Sequence, residues 1–392
     1  MQTSIEVITR WDELIARRQA WLDLLARSST NDPMLSPQWL ETWWQVFGEG
    51  RSLQALLVHQ DGRLIGLAPL LARQIWHRRA VPLRRLELLA TGEDEADEIY
   101  SEYLNLIGEQ GQEGVVAREF VTALREGALG PWDELSLDML DGCSPMTRAL
   151  LHELRRARLL EDVTSHRPCP YIPLPATWEE YLGQMSSSRR YFLKRTLKAF
   201  EQWAGDEVVL RRAVTPDELD QGFEILVDLH GKRWQHAGGR GVFSSERFSR
   251  FHRAAMDKLL ASGNLELTWL CKGDRPLAAI YNIVWDNKVY FYQSGRCTDV
   301  PSKVRPGIAI HIYAIQDSIK RGRAKYDFLV GNMRYKQQLS LAHTRLIRIR
   351  ASRAGSVAAV ARNLVEHGTA LARVLRRSAH GQSPQRPTED DE

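Results

Sequence analysis

The chain has 392 residues, long for one domain and comfortable for two. Hydrophobic residues make up 43%, enough for ordinary cores, while 53 basic and 49 acidic residues leave a net +4, which gives no argument for nucleic acid from bulk charge. The four cysteines, Cys143, Cys169, Cys271 and Cys297, lie far apart without CxxC spacing, and the eleven histidines form no ligand pair at helical spacing, so neither a zinc site nor a disulfide framework is expected.

Met1–Trp11 is charged and lacks the apolar core of a signal peptide. No apolar run approaches the roughly 20 residues of a spanning helix. The expectation is a soluble, cytoplasmic protein with no metal and no transmembrane segment; peripheral membrane contact stays open. Trp11–Ala26 has the apolar spacing of a helix. Ser36-Pro37 starts a second one, with Ser36 as N-cap, Pro37 in the first turn and Gly48 as its stop. Its Trp39, Trp43, Trp44 and Phe47 stripe reads as a ligand platform or, as the spacing of a buried helix face favours, as core packing. Leu53–His59, a Gln60-Asp61-Gly62 turn and Arg63–Ala72 read as a hairpin, and Arg84–Ala90 as a third strand. An acidic loop follows at Thr91–Glu98, then a helix over Gln112–Arg125 and a strand over Trp132–Met139. Ser144–Leu160 reads as an Arg- and Leu-rich helix, and the four prolines of His166–Pro175 as an extended linker.

Beyond Thr177, a candidate N-cap, helices are expected at Trp178–Met185, Arg189–Trp203, Asp217–Arg233 and Ser244–Ala261. Arg190, Lys194 and Lys198 share one face of the second of these, either as a solvated face or as a ridge toward phosphate. Three strands with short turns then form a meander, Leu265–Cys271, Leu277–Trp285 and Val289–Ser294. Pro306-Gly307 opens a helix with Ile308, Ile312, Ile315 and Ile319 at helical spacing, and a strand, Tyr326–Val330, returns before Gly331 and Tyr335-Lys336. That is a crossover unit whose helix start can face an anion. His343–Arg350 is a strand with one basic face; Val357–Arg376 is a basic amphipathic helix, docked or lying on a membrane surface; Ser378–Glu392 is polar and expected to be disordered.

The first half repeats this order. Trp132-Asp133-Glu134-Leu135 corresponds to Tyr326-Asp327-Phe328-Leu329, about half a chain apart, which points to duplication of one α/β unit. The expected division is 1–165 for a first unit, 166–176 for the linker, 177–350 for the second unit, 351–377 for a basic helix and 378–392 for a tail.

His230–Trp234 (HGKRW), Leu277-Ala278, Tyr290–Gly295, Pro306-Gly307, Tyr326–Gly331 and Tyr335-Lys336 occur in an order that resembles the acyl-CoA-binding core of the GNAT acyltransferase superfamily, and within it the FemAB-like, CelD-like branch. The resemblance implies an α/β (α+β) fold of tandem GNAT-like units, each a mixed, largely antiparallel sheet flanked by helices. It implies an acyl-CoA donor, acetyl-CoA in the simplest case, bound by Tyr292, Ser294, Lys303, Arg305, Gly307 and Ile308. Acyl transfer to an amine needs a proton acceptor for the amine and a donor for the thiolate. Tyr335 is the candidate acid, or else an aromatic lid; Asp327 is the candidate base or amine anchor, or else tied to the backbone. Lys336, Trp234, Arg190 and Lys194 are candidates for the substrate side, with packing the alternative for Trp234. The phosphate loop is reduced to Arg305-Pro306-Gly307-Ile308-Ala309, and Val289–Ser294 carries no Glu to serve as base. The function implied is N-acyl transfer from CoA to an amine on a sugar, cell-envelope or exopolysaccharide precursor. The alternatives are aminoacyl transfer from tRNA, or a non-catalytic member of a polysaccharide-synthesis complex.

Overall fold

The computed structural model describes residues 2–353 and 355–365. The first half runs β1 (Thr3–Ile8), α1 (Trp11–Ile15), α2 (Arg18–Ala26), α3 (Pro37–Phe47), β2 (Ser52–Leu53), β3 (Ala55–Gln60), β4 (Arg63–Ala68), β5 (Leu70–His77), β6 (Val81–Leu88), β7 (Ile107–Gly108), α4 (Glu113–Glu126), β8 (Glu134–Asp141), α5 (Pro145–Arg156) and β9 (Leu160–Pro173). The second half runs α6 (Trp178–Gly183), α7 (Ser187–Ala204), β10 (Val208–Arg212), α8 (Pro216–His236), α9 (Glu246–Ala261), β11 (Leu265–Lys272), β12 (Arg275–Trp285), β13 (Lys288–Arg296), α10 (Pro306–Lys320), β14 (Lys325–Asp327), α11 (Arg334–Leu339) and β15 (Ala342–Ser352). Residues 357–365 are helical; the expected helix beyond 365 and the tail at 378–392 lie outside the described residues.

Local chemistry sets most of these boundaries. Ser36 accepts the Trp39 N–H at the start of α3, and Thr215 and Glu218 close a capping box on α8. Asp286 and Asn287 both sit at positive φ, the two-residue turn that joins twisted antiparallel strands. The expected strand Arg63–Ala72 breaks at Pro69, which offers no N–H to a ladder: β4 stays in a small sheet, β1-β3-β4-β7, and β5 joins the large one. The expected first helix is two, α1 and α2, and β1 and β10 were not expected as strands.

The large sheet has eleven strands in the order β10-β11-β12-β13-β14-β9-β15-β8-β6-β5-β2. Each half contains a parallel pair joined by a helix-bearing crossover: β6 and β8 around α4, β13 and β14 around α10. The fold is therefore two GNAT-like units in tandem. Their last strands are exchanged. β9, from the first half, pairs with β14 of the second. β15, from the second half, pairs with β8 of the first, and β9 and β15 lie antiparallel from Tyr171/Ala342 to Leu160/Ala351. This corrects the expected linker at 166–176. His166–Pro173 is extended, as its prolines require, but it lies in the middle of the sheet, and the backbone oxygens of Pro168 and Pro170 accept from the Gly331 and Phe328 N–H groups. Proline lacks a donor and not an acceptor, so a proline-rich strand can still be paired on its carbonyls.

The candidate active site

β13 and β14 touch only at Lys288/Lys325, Val289/Tyr326 and Tyr290/Asp327. Beyond those pairs they separate. A bulge in β13 leaves Tyr292 without a partner, with Tyr281 facing Gln293 and Asn282 facing Phe291. Bulges bend the strand that carries them and re-aim its side chains. On the other side, Asp327 Oδ1 accepts the Leu329 N–H at 2.8 Å, Leu329 sits at φ +58°, and the chain turns to follow β9. The result is a V-shaped opening between Phe291–Arg296 and Phe328–Gly331.

Side chains of α10 and α11 line one face of that opening. Tyr335 stacks on His311 with centroids 5.3 Å apart and 27° between planes, and Phe291 meets the His311 ring edge-on at 4.5 Å. Burial lowers the His311 pKa to about 3, so this ring is neutral. Burial raises the Tyr335 phenol above its ordinary range, which keeps its proton in place at neutral pH.

The outer end of the opening is cationic. α10 begins at Pro306-Gly307 with no side chain capping it. A Cβ on Gly307 would stand 3.1 Å from Arg296 Cδ, so Arg296 lies directly against the helix start. Burial, then Arg233 and Arg305, lower the Arg296 pKa, which places three guanidinium groups in one field. Arg305 stacks over Phe192 of α7 at 5.4 Å, and Phe200 meets Tyr313 further along, so α7 and α10 run the same way and present both N-terminal ends here. Helix N-termini and clustered arginines favour an anion.

The first unit closes the inner end. Glu102 Oε2 accepts the Val330 N–H at 2.7 Å, and Tyr103 donates to Asp327 Oδ2 at 2.8 Å. Lys325 Nζ lies 2.6 Å from the same oxygen. Tyr290 donates to Asp32. Burial raises the Asp32 carboxyl to about 6, against the pull of Lys288 and Lys325, and the Glu102 carboxyl to about 8, against that of Lys336.

The structure thus distributes the expected residues. Arg305, Gly307 and Ile308 meet at the cationic helix start, with Lys303 exposed beside them. Tyr335 lines the opening. Asp327 is fully buried and its two oxygens are held by Leu329, Tyr103 and Lys325. Lys336 is 7% exposed and its ammonium donates to the carbonyls of Phe328 and Val330 at 2.7 and 2.9 Å, so here it fastens the turn after β14. Tyr292 points to the opposite face of β13, with its hydroxyl on the Ile99 carbonyl. Both backbone groups of Ser294 are engaged, the N–H by Gln293 Oε1 at 2.9 Å and the carbonyl by His230 Nδ1 at 2.9 Å. Trp234 is 38% exposed at the end of α8. Arg190 donates to the Met185 carbonyl at 3.4 Å, while Lys194 is exposed. Arg296, His311, Glu102 and Tyr103 were not expected here; Glu102 and Tyr103 carry no local pattern, because their partners lie in the other half of the chain. Among the described residues, no three His, Cys, Asp or Glu side chains converge as a metal-binding group.

The opening is thus a bulged strand splayed from its parallel neighbour, with a cationic helix start at its open end. Residues 187–337 match the family model described as an acetyltransferase (GNAT) domain. Among solved structures, the chain is similar to FemX, at 11% identity, over 88% of this chain and 97% of that one, with a TM-score of 0.57. It is also similar to the C-terminal domain of a putative lysylphosphatidylglycerol synthetase from Agrobacterium fabrum, at 10% identity, 91% and 96% coverage and a TM-score of 0.52. A conserved protein of unknown function from Bacteroides thetaiotaomicron gives 11% identity, 89% and 100% coverage and a TM-score of 0.55. At these identities the likeness is one of fold. No curated protein sequence matches the chain. No described helix is long and apolar enough to cross a membrane.

Proposed function

We propose that the chain transfers an acyl group, acetyl in the simplest case, from CoA to an amine on a sugar or cell-envelope precursor. The observation that carries this reading is the opening between β13 and β14 that ends at Gly307 with Arg296, Arg305 and Arg233 around it. The pyrophosphate sits at the start of α10, and the pantetheine arm runs along the β13 edge toward the bulge. For the arm to pair with the Ser294 N–H, the Gln293 side chain swings away; it is partly exposed and free to do so. The thioester then lies near Tyr335, whose phenol donates to the departing thiolate. Gly307→Glu tests the donor site. The new side chain would meet Arg296 and fill the anion position, so calorimetric binding of acetyl-CoA and free CoA should be lost with the fold intact. Parent-like affinity in this variant would place the donor elsewhere.

A second reading, transfer of an aminoacyl group from tRNA, is favoured by one observation. Lys194 and Lys198 are exposed on α7 beside the cationic end and carry no ion pair among the described residues. RNA binding there would weaken steeply as salt rises, and Lys194→Glu with Lys198→Glu would abolish it.

A further inference from the structure

Several polar atoms on the α8 and α9 face of the second unit's sheet are buried without a hydrogen-bond partner: Trp269 Nε1, Tyr281 Oη, both ring nitrogens of His252, and His230 Nε2. Each such atom costs about 1–3 kcal/mol, so each asks for a reason. His252 is enclosed by the rings of Trp39, Phe248, Phe251, Tyr281 and Tyr292. His230 is placed differently, at the edge of the splayed strand.

α8 presses on β13 over Gly295, where a Cβ would stand 2.5 Å from the His230 backbone nitrogen. That approach sets His230 Nδ1 2.9 Å from the Ser294 carbonyl, two residues past the bulge. A carbonyl only accepts, so Nδ1 carries the ring proton and Nε2 keeps its lone pair. Burial lowers the His230 pKa to about 4, consistent with a neutral ring. The residue is 1% exposed: Phe243 meets its ring edge-on at 5.2 Å, and a short loop lies over Nε2, where a Cβ on Gly241 would stand 2.8 Å away. The loop Ala237–Gly241 contains Gly238, Gly239 and Gly241, and its backbone bonds are local ones, to Gln235, Trp234 and Arg233 and from Ser244. Segments held this way open at low cost. β13 itself supplies no carboxylate in the opening.

We propose that His230 is the general base of the transfer, taking a proton at Nε2 from the attacking amine when the Ala237–Gly241 loop lifts. This rests on the acyltransferase reading above. The amine nitrogen bonds to the acyl carbon, the carbon–sulfur bond breaks, and the CoA thiolate leaves with its electron pair and takes a proton from Tyr335. The proton lost by the nitrogen passes to Nε2 and returns through solvent to Tyr335. Amine and thioester become amide and thiol, with nothing else consumed.

Two measurements test it. Asn at 230 places its amide nitrogen where Nδ1 was, so H230N keeps the bond to Ser294 and lacks the base. With acetyl-CoA as donor and glucosamine as probe amine, H230N should lose about 10²–10⁴-fold in kcat/KM at parent-like thermal stability and acetyl-CoA affinity. The second measurement needs neither substrate. G241A must move the loop off the imidazole, so diethylpyrocarbonate should modify His230 faster in G241A than in the parent, as mapped by mass spectrometry. The exposed His236 should be modified equally in both. Parent-like kcat/KM in H230N overturns the assignment. So does a His230 that stays unmodified in G241A while His236 reacts. A parent protein that binds no acetyl-CoA overturns the donor reading instead, and the labelling then decides whether His230 offers a gated lone pair.

Discussion

Tyr335 and Glu102 reach the opening from the two halves of the chain. Tyr335→Phe keeps the ring on His311 and removes only the hydroxyl. Turnover should fall about 10²–10⁴-fold while acetyl-CoA affinity and melting temperature stay near the parent. Parent-like turnover would make Tyr335 a packing residue. Glu102 holds the Val330 N–H from a buried position. Burial raises its pKa from an ordinary value near 4.3 to about 8 in the folded chain. The stability linked to its neutral form is complete below the unfolded value and is lost as pH rises through the folded one. Asp32, raised to about 6, contributes with the same sign over a lower window. The melting temperature should therefore fall from about pH 5 to pH 8, and Glu102→Gln, neutral throughout, should flatten the upper part of that fall. An equally steep fall in the variant would locate the titration elsewhere. The sequence could suggest Tyr335, because it stands beside a glycine and a lysine in a recognisable order. It could not suggest Glu102, whose partners Val330 and Lys336 lie in the other half of the chain.

At the scale of elements, α8 is seated by what β13 lacks. Gly295→Ala would drive a Cβ into the backbone of His230 at 2.5 Å and into Leu229 at 2.7 Å. The helix has to shift, at a cost of about 1–3 kcal/mol. Denaturant unfolding should report that loss, and turnover should drop with it because Nδ1 leaves Ser294; unchanged values for both would mean that α8 tolerates the displacement. Most elements were legible because their own residues decide them: the Asp286-Asn287 turn, the Thr215 cap, the isoleucine stripe of α10. β9 was misread because its three prolines, Pro168, Pro170 and Pro173, argue against a central strand when only donors are considered. Its carbonyls and its other residues are what the neighbours use. β14 proved shorter than expected because the Asp327 side chain captures the Leu329 N–H and turns the chain aside.

At the scale of the molecule, the exchange of β9 and β15 joins the halves more firmly than a linker would. The fragment 177–353 keeps β15 but lacks β8 and β9, so β14 loses one of its neighbours and β15 loses both. Expressed alone it should aggregate or give a molten far-UV spectrum, and co-expression with 1–176 should restore a soluble complex on gel filtration. Limited proteolysis of the full chain should spare Leu160–Pro173; early cleavage there would restore the linker. The tandem arrangement could be read from the matched order of elements in the two halves. The exchange could not, since either strand would satisfy its own unit's edge equally well by pattern.

That exchange also fixes an order of events during synthesis. Val163 is made early and waits for Ile349, its partner in β15. Until Ala342–Ser352 has been made, β8 and β9 have no neighbour along the edges that β15 will occupy. The first half therefore emerges with open apolar strand edges, a condition in which chains of high contact order fold slowly and cling to chaperones. A stop codon placed before Ala342 would remove none of the cationic cleft, yet it would leave β8 and β9 without the strand that pairs with both.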